Sequence, residues 1–130
     1  MPIEDLREWI ERVEEIGELT RVDGADPNLE LGGLVDLYQW DMGNPALLFD
    51  HILGYPSGVR LLANVFTSLR RIALSLDLPL DYGAREFVQA WRTQLKDLQP
   101  KPAILVDRGP VLENHQAGDR VDIKIGRAHV

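Results

Sequence analysis

The sequence predicts an α+β domain, a small mixed β-sheet packed against three or four helices. Two observations carry that expectation. Apolar runs at Ala46–Phe49 and Val59–Phe66 are short and bracketed by Gly and Pro, with the turn Gly54-Tyr55-Pro56-Ser57-Gly58 between them. Such runs read as paired strands buried on at least one face. On either side lie segments whose apolar residues recur every three or four positions, the period of a helix with one buried stripe. With 130 residues the chain is long enough for one domain with a core of its own and too short for two ordinary ones.

The first helix is expected over about Ile3–Ile16, where Leu6, Trp9, Ile10, Val13 and Ile16 make the stripe and Glu4, Asp5, Glu8, Glu11, Glu14 and Glu15 cover the other sides. Gly17 stands where a left-handed cap ends such a helix. Leu19–Val22 reads as a short strand stopped at Asp23-Gly24. Asp26-Pro27 starts a second helix, because Asp accepts from the free amides and Pro suits the first helical position. Its apolar face is Leu29, Leu31, Leu34, Val35, Leu37 and Tyr38. The pair Gly32-Gly33 costs roughly 1 kcal/mol per glycine against Ala, which a close helix–sheet contact would justify. Asp41-Met42-Gly43-Asn44-Pro45 breaks the element before the first central strand.

After the strand pair, Thr67 or Ser68 caps a helix with the stripe Leu69, Ile72, Ala73 and Leu76, which Asp77-Leu78-Pro79 stops. A further helix from Asp81 or Gly83 is expected to bury Phe87, Val88, Trp91, Leu95 and Leu98. Ala103–Val106 reads as a strand, followed by a turn at Arg108-Gly109-Pro110. The alternation Val121, Ile123, Ile125 is the start of a strand whose partners are missing.

Composition narrows the function. Hydrophobic residues make up 45% and charged residues 27%, the balance of a folded globular chain. A net charge of −7 gives no basic patch for nucleic acid and no attraction to an anionic membrane. The absence of cysteine excludes disulfides, thiolate ligands and a cysteine nucleophile. The opening MPIEDLREWI lacks the basic end and apolar core of a signal peptide, and no apolar run has the length of a membrane span. A soluble, cytoplasmic protein is the expectation.

The sequence nominates no catalytic, cofactor-binding or metal-binding residue. His51, His115 and His129 have no metal-ligand spacing, and His51 reads as a residue at a strand end. The carboxylates from Glu4 to Glu15 read as a solvated helix face rather than an acid–base pair. Ser57 lacks a GxSxG frame, and no phosphate-binding glycine motif occurs. Trp9, Trp40 and Trp91 read as core or partner-facing aromatics. Arg70-Arg71, beside Thr67-Ser68 at a helix start, has two readings. It holds a carboxylate or phosphate at the helix N-terminus, or it binds acidic residues of a neighbouring element, which is the commoner use of such pairs.

Three segments taken together resemble the N-terminal portion of the UbiD family of decarboxylases. DLREWIERVEEIGELTRVDGADPNLEL is similar to the family's opening helix, its GEL turn and strand, and its DP-x-LE helix. NPALLFDHILGYPSGVRLLANVFTSLRRIALSLDL is similar to its PALLFE…GY…N-F-G-x-x-R segment, with Ser68 near the place where the family usually has Gly. PAILVDRGPVLENHQAGDRVDI is similar to the passage that leads into the flavin-binding domain. The resemblance runs from about Asp5 to about Ile123. It implies an enzyme that reversibly decarboxylates aromatic or α,β-unsaturated carboxylic acids with prenylated FMN, a divalent metal (commonly manganese) and a monovalent cation. It also implies a homo-oligomer. The family's Arg, Glu, Asn and His machinery lies downstream of the matched region, so no catalytic or metal residue is carried over and the fragment alone is expected to be inactive.

The resemblance divides the chain into an N-terminal α+β domain at 1–112, the start of a lead-in to a flavin-binding domain at 113–124, and a non-native tail at 125–130. The tail IGRAHV can be encoded by ATC GGA AGA GCA CAC GTC, which is similar to a synthetic sequencing adapter. The partners expected are then the flavin-binding and C-terminal domains, with an unpaired strand at Val121–Ile125 and an exposed apolar patch where they dock. The alternative from another class is a free-standing α+β interaction module. A third, a small acid-binding domain, would rest on Arg70 and Arg71.

Overall fold

The computed structural model describes residues 3–109, 113, 115 and 117–121. Among them are a three-stranded sheet and four α-helices: α1 (Leu6–Glu15), β1 (Leu19–Asp23), α2 (Glu30–Gln39), β2 (Ala46–Asp50), β3 (Leu61–Ala63), α3 (Leu69–Ser75) and α4 (Ala84–Lys96). The sheet is mixed, in the order β1-β2-β3. β1 and β2 are parallel, in register from Leu19 opposite Ala46 to Asp23 opposite Asp50. A parallel pair needs a long crossover, and α2 is that crossover. β2 and β3 are antiparallel, with Leu48 opposite Leu62.

The central strand explains the core. Ala46, Leu47, Leu48 and Phe49 of β2 are all buried, as a strand covered on both faces requires. Side chains alternate across a strand. Leu47 and Phe49 pack with Ala25, Leu31 and Ile52 under α2, beside the half-buried Leu34, Val35 and Tyr38. Ala46 packs with Trp9 and Val13 of α1, next to Leu62, Val65 and Leu74. Trp9 Nε1 donates to Ser75 Oγ at 2.8 Å, tying α1 to α3 across that face.

Local chemistry sets the element ends. Asp5 caps α1, its Oδ1 accepting from the amides of Arg7 (2.8 Å) and Glu8 (2.9 Å). Gly17 leaves the helix at φ +75°, a conformation that favours glycine. Ser68 caps α3. β3 is shorter than the apolar run Val59–Phe66, because Gly58 and Asn64 on its flanks adopt φ of +93° and +57°, outside the extended range of a strand.

Four expectations are corrected. Asp26 accepts from the Asn28 amide at 2.8 Å and from Glu30 through its carbonyl, so Asp26-Pro27 forms a turn and α2 begins only at Glu30. Leu29 and Leu37 are exposed, and the position of a Cβ on Gly33 has nothing within 4 Å, so no close sheet contact explains that glycine. α4 forms but has no buried residue. Its Phe87 and Trp91 are half-buried, while Val88, Leu95 and the following Leu98 are exposed. Ala103–Val106 is not a strand, and Ile104 and Leu105 are 88% and 97% exposed. A strand needs a neighbour to satisfy its amides and carbonyls, and none lies beside this segment among the described residues. Val121 follows a single 3₁₀ turn at Gly118–Arg120, whereas Ile123, Ile125 and the 125–130 tail lie outside the described residues.

Candidate functional site

Among the described residues, the one place where charged groups converge in the interior is Arg71. It lies in the first turn of α3 and is 0% exposed. A guanidinium has five N–H donors and no acceptor, so its burial requires a ring of oxygens. The fold supplies them. Nη1 donates to Glu18 Oε2 at 2.9 Å and to the Asn44 carbonyl at 3.1 Å. Nη2 donates to Thr67 Oγ1 at 2.7 Å and to the Asn64 carbonyl at 3.3 Å. Nε donates to the Val65 carbonyl at 3.2 Å. The ring closes through Glu18, which also accepts from Ser68 Oγ at 2.6 Å and pairs with Arg70 at 3.1 Å. Burial pulls the Arg71 pKa below the ordinary arginine value, with the charge of Glu18 and its hydrogen bond acting the other way.

The two readings of Arg70-Arg71 are thereby resolved in favour of the acidic neighbour. Both arginines bind Glu18, and the helix N-terminus they flank is capped by Ser68, whose Oγ accepts from the Arg71 amide. The same contacts occupy all five N–H donors of Arg71, leaving none of them for an external acid. Sequence reasoning missed Glu18, Asn44 and Asn64. The two asparagines extend the network to α2, with Asn44 Nδ2 donating to the Tyr38 carbonyl (3.2 Å) and Asn64 Nδ2 to the Val35 carbonyl (3.3 Å). The available signal was Glu18 itself, an acid set between the capping Gly17 and the apolar start of β1.

His51 sits at the end of β2, as expected, with φ +46°. Its Nδ1 meets Asp23 Oδ1, because the parallel register brings the ends of β1 and β2 together. The hydrogen bond to Asp23, then the charges of Asp23 and Asp50, raise the His51 pKa above its ordinary 6.5. A raised folded pKa means that the pair's stabilisation is complete below the unfolded value and is lost as pH rises through the folded one. Replacing His51 with Gln should therefore lower Tm at about pH 5.5 and leave it unchanged at about pH 8.5. A Tm difference that grows with pH contradicts this assignment.

The other candidates remain dispersed. Among the described residues no three His, Asp or Glu side chains come together in a manner that could hold a metal ion. The acidic face of α1 is exposed, with Glu8 paired to Arg12 and Glu14 to Arg21. A cavity of about 470 Å³ lies between the first turn of α1 and the sheet, lined by Leu6, Arg7, Ile10, Leu48, Arg60 and Leu62. The carboxylate on its wall, Asp5, is engaged in the helix cap, so the cavity offers no acid–base pair. No buried side-chain nitrogen or oxygen among the described residues lacks a partner. The described residues thus bring together no set of carboxylates or imidazoles of the kind that would hold the divalent metal of a bound flavin phosphate. No helix among them is long and apolar enough to cross a membrane.

The fold has counterparts among known proteins. The family model of the 3-octaprenyl-4-hydroxybenzoate carboxy-lyase N-terminal domain matches residues 10–91. The pyrrole-2-carboxylic acid decarboxylase of Pseudomonas aeruginosa is 31% identical over 129 residues, covering 92% of this chain and 25% of that protein. The vanillic acid decarboxylase of Sedimentibacter hydroxybenzoicus in its closed form has a similar fold, with a TM-score of 0.73 at 24% identity over 88% of this chain and 24% of that one. In its open form the TM-score is 0.65 at 25% identity, over 72% of this chain and 20% of that one. The chain thus spans about a quarter of the length of these relatives. With the matched region running from within α1 to within α4, the chain belongs to the UbiD family of carboxy-lyases, and the part of that family it carries is the N-terminal domain.

Proposed function

We propose that this chain is the N-terminal domain of a longer enzyme that reversibly decarboxylates aromatic or α,β-unsaturated carboxylic acids with prenylated FMN. The observation that carries the reading is the alignment of 92% of the chain, at 31% identity, with a pyrrole-2-carboxylic acid decarboxylase. The similar solved structures, of a decarboxylase named for vanillic acid, point to the same class of aromatic carboxylate. The flavin, a divalent metal such as manganese and a monovalent cation are assigned to the polypeptide beyond this domain, since the described residues bring together no ligand set for the metal. The domain's own role is architectural. It packs on the flavin-binding portion and helps to shape the approach to the site or the subunit interface, and alone it is inactive. A cytoplasmic homo-oligomer belongs to the same reading.

The test begins by recovering the uninterrupted reading frame from the source DNA and producing the longer polypeptide with a supply of prenylated FMN. CO2 release from pyrrole-2-carboxylate, vanillate and a panel of unsaturated acids should appear with the longer chain, fall on chelation of divalent metal, and be absent from the 130-residue chain. A flavin-loaded longer polypeptide that neither releases CO2 nor exchanges labelled bicarbonate into any of these acids overturns the proposal. Turnover by the short chain alone would overturn the assignment of the machinery to the missing portion.

A further inference from the structure

Helix α2 has two apolar faces. The inward one, Leu31 with Leu34, Val35 and Tyr38, packs on β2. The outward one is formed by Leu29, Gly33, Leu37 and Trp40, spaced four, four and three residues apart, so that they line up along one side. Here Leu29 is 80%, Leu37 67% and Trp40 80% exposed, with Met42 beyond them at 70%. A surface helix ordinarily carries one apolar stripe toward the core, and a second one exposed to solvent marks an interaction site. Gly33 sits in the middle of the stripe, and nothing approaches the place of its Cβ. A glycine at mid-helix is destabilising by roughly 1 kcal/mol, and here it leaves a notch through which a partner can reach the helix backbone.

Charge decides the partner. Between Arg21 and Arg60 the sequence has no Lys or Arg, while Glu30 and Asp36 flank the stripe and Asp41 follows it. A second copy docking by the same face would set acid against acid, since a two-fold contact brings one patch onto itself. The relatives place about three quarters of their length outside the matched region. Resting on the reading above, we infer that the outward face of α2 is the seat of the downstream portion of the same polypeptide, which covers it with an apolar surface rimmed by Lys or Arg.

The test uses the longer polypeptide with Leu37→Cys or Trp40→Cys, and Glu11→Cys on the exposed side of α1 as the control. Labelling by N-ethylmaleimide is followed at each peptide by mass spectrometry. At positions 37 and 40 it should be about tenfold slower than at 11, at any protein concentration. Adding Glu30→Lys and Asp36→Lys should restore fast labelling. Labelling at 37 and 40 as fast as at 11 overturns the inference. Protection lost on dilution to the monomer identifies a second copy and overturns it too, and protection indifferent to the two lysines overturns the basic rim. Decarboxylase activity plays no part in this readout: an inactive polypeptide with protected positions removes the proposed function alone, and an active one with open positions removes this inference alone.

Discussion

Arg71→Ala should destabilise the domain by about 3–5 kcal/mol, the usual cost of breaking a buried, hydrogen-bonded charge pair by removing one partner. The substitution removes all five of the side-chain contacts made to Glu18, Asn44, Asn64, Val65 and Thr67. It leaves Glu18, whose side chain is 13% exposed, with a half-exposed arginine and a serine hydroxyl as partners. It also takes the donor from the Asn44 carbonyl before β2 and the Val65 carbonyl after β3, so the two ends of the hairpin lose the group that joins them. Arg70→Ala is the control. Arg70 shares Glu18 but is half-exposed, and such pairs are worth about 0–1 kcal/mol. Arg71→Lys should fall between, since an ammonium can reach Glu18 but lacks the planar fork that meets several oxygens at once. Urea unfolding of the 130-residue chain gives the comparison. Midpoints for Arg71→Ala and Arg70→Ala that shift equally would show that the buried network contributes no more than a surface ion pair.

This network also marks the limit of what could be read from the sequence. The stripe of α1, its stop at Gly17, the strand at Ala46–Phe49 and the cap at Ser68 were legible because each is decided within a few residues of chain. The pairing of Arg71 with Glu18 joins positions 53 apart in sequence. Which arginine of the pair is buried follows from the path of α3 over the sheet, which no local spacing encodes. The misreadings share one cause. Periodicity reports that a segment has an apolar face and is silent on what covers it. So Val88 and Leu95 of α4, Leu29 and Leu37 of α2 and the run Ile104–Val106 were expected to be buried or paired, and they stand exposed. For α2 the exposed residues lie on the side away from the sheet, consistent with a cover supplied by another part of a longer protein. The site was illegible for a simpler reason: the charges that do converge, Arg70, Arg71 and Glu18, are used to hold the fold together.

Phe49→Ala should be comparably severe, at about 3–5 kcal/mol, because a large aromatic removed from a packed core loses its transfer free energy and leaves a cavity. Phe49 is 0% exposed on the central strand and meets the cluster formed by Ala25, Leu31, Leu47 and Ile52. β2 is held on both sides by its register with β1 and β3, so the strand itself cannot shift to close the space. Leu37→Ala is the informative contrast. It lies on the same crossover helix that covers Phe49 but on the opposite side, and in the 130-residue chain it should change stability by no more than about 0.5 kcal/mol, the usual range for a surface substitution. Urea unfolding should thus separate the two faces of α2, one already occupied by Phe49 and its neighbours and one awaiting a partner. A large loss for Leu37→Ala, or a small one for Phe49→Ala, would mean that α2 is seated on the sheet by its other face, and the placement of the core would have to be redrawn.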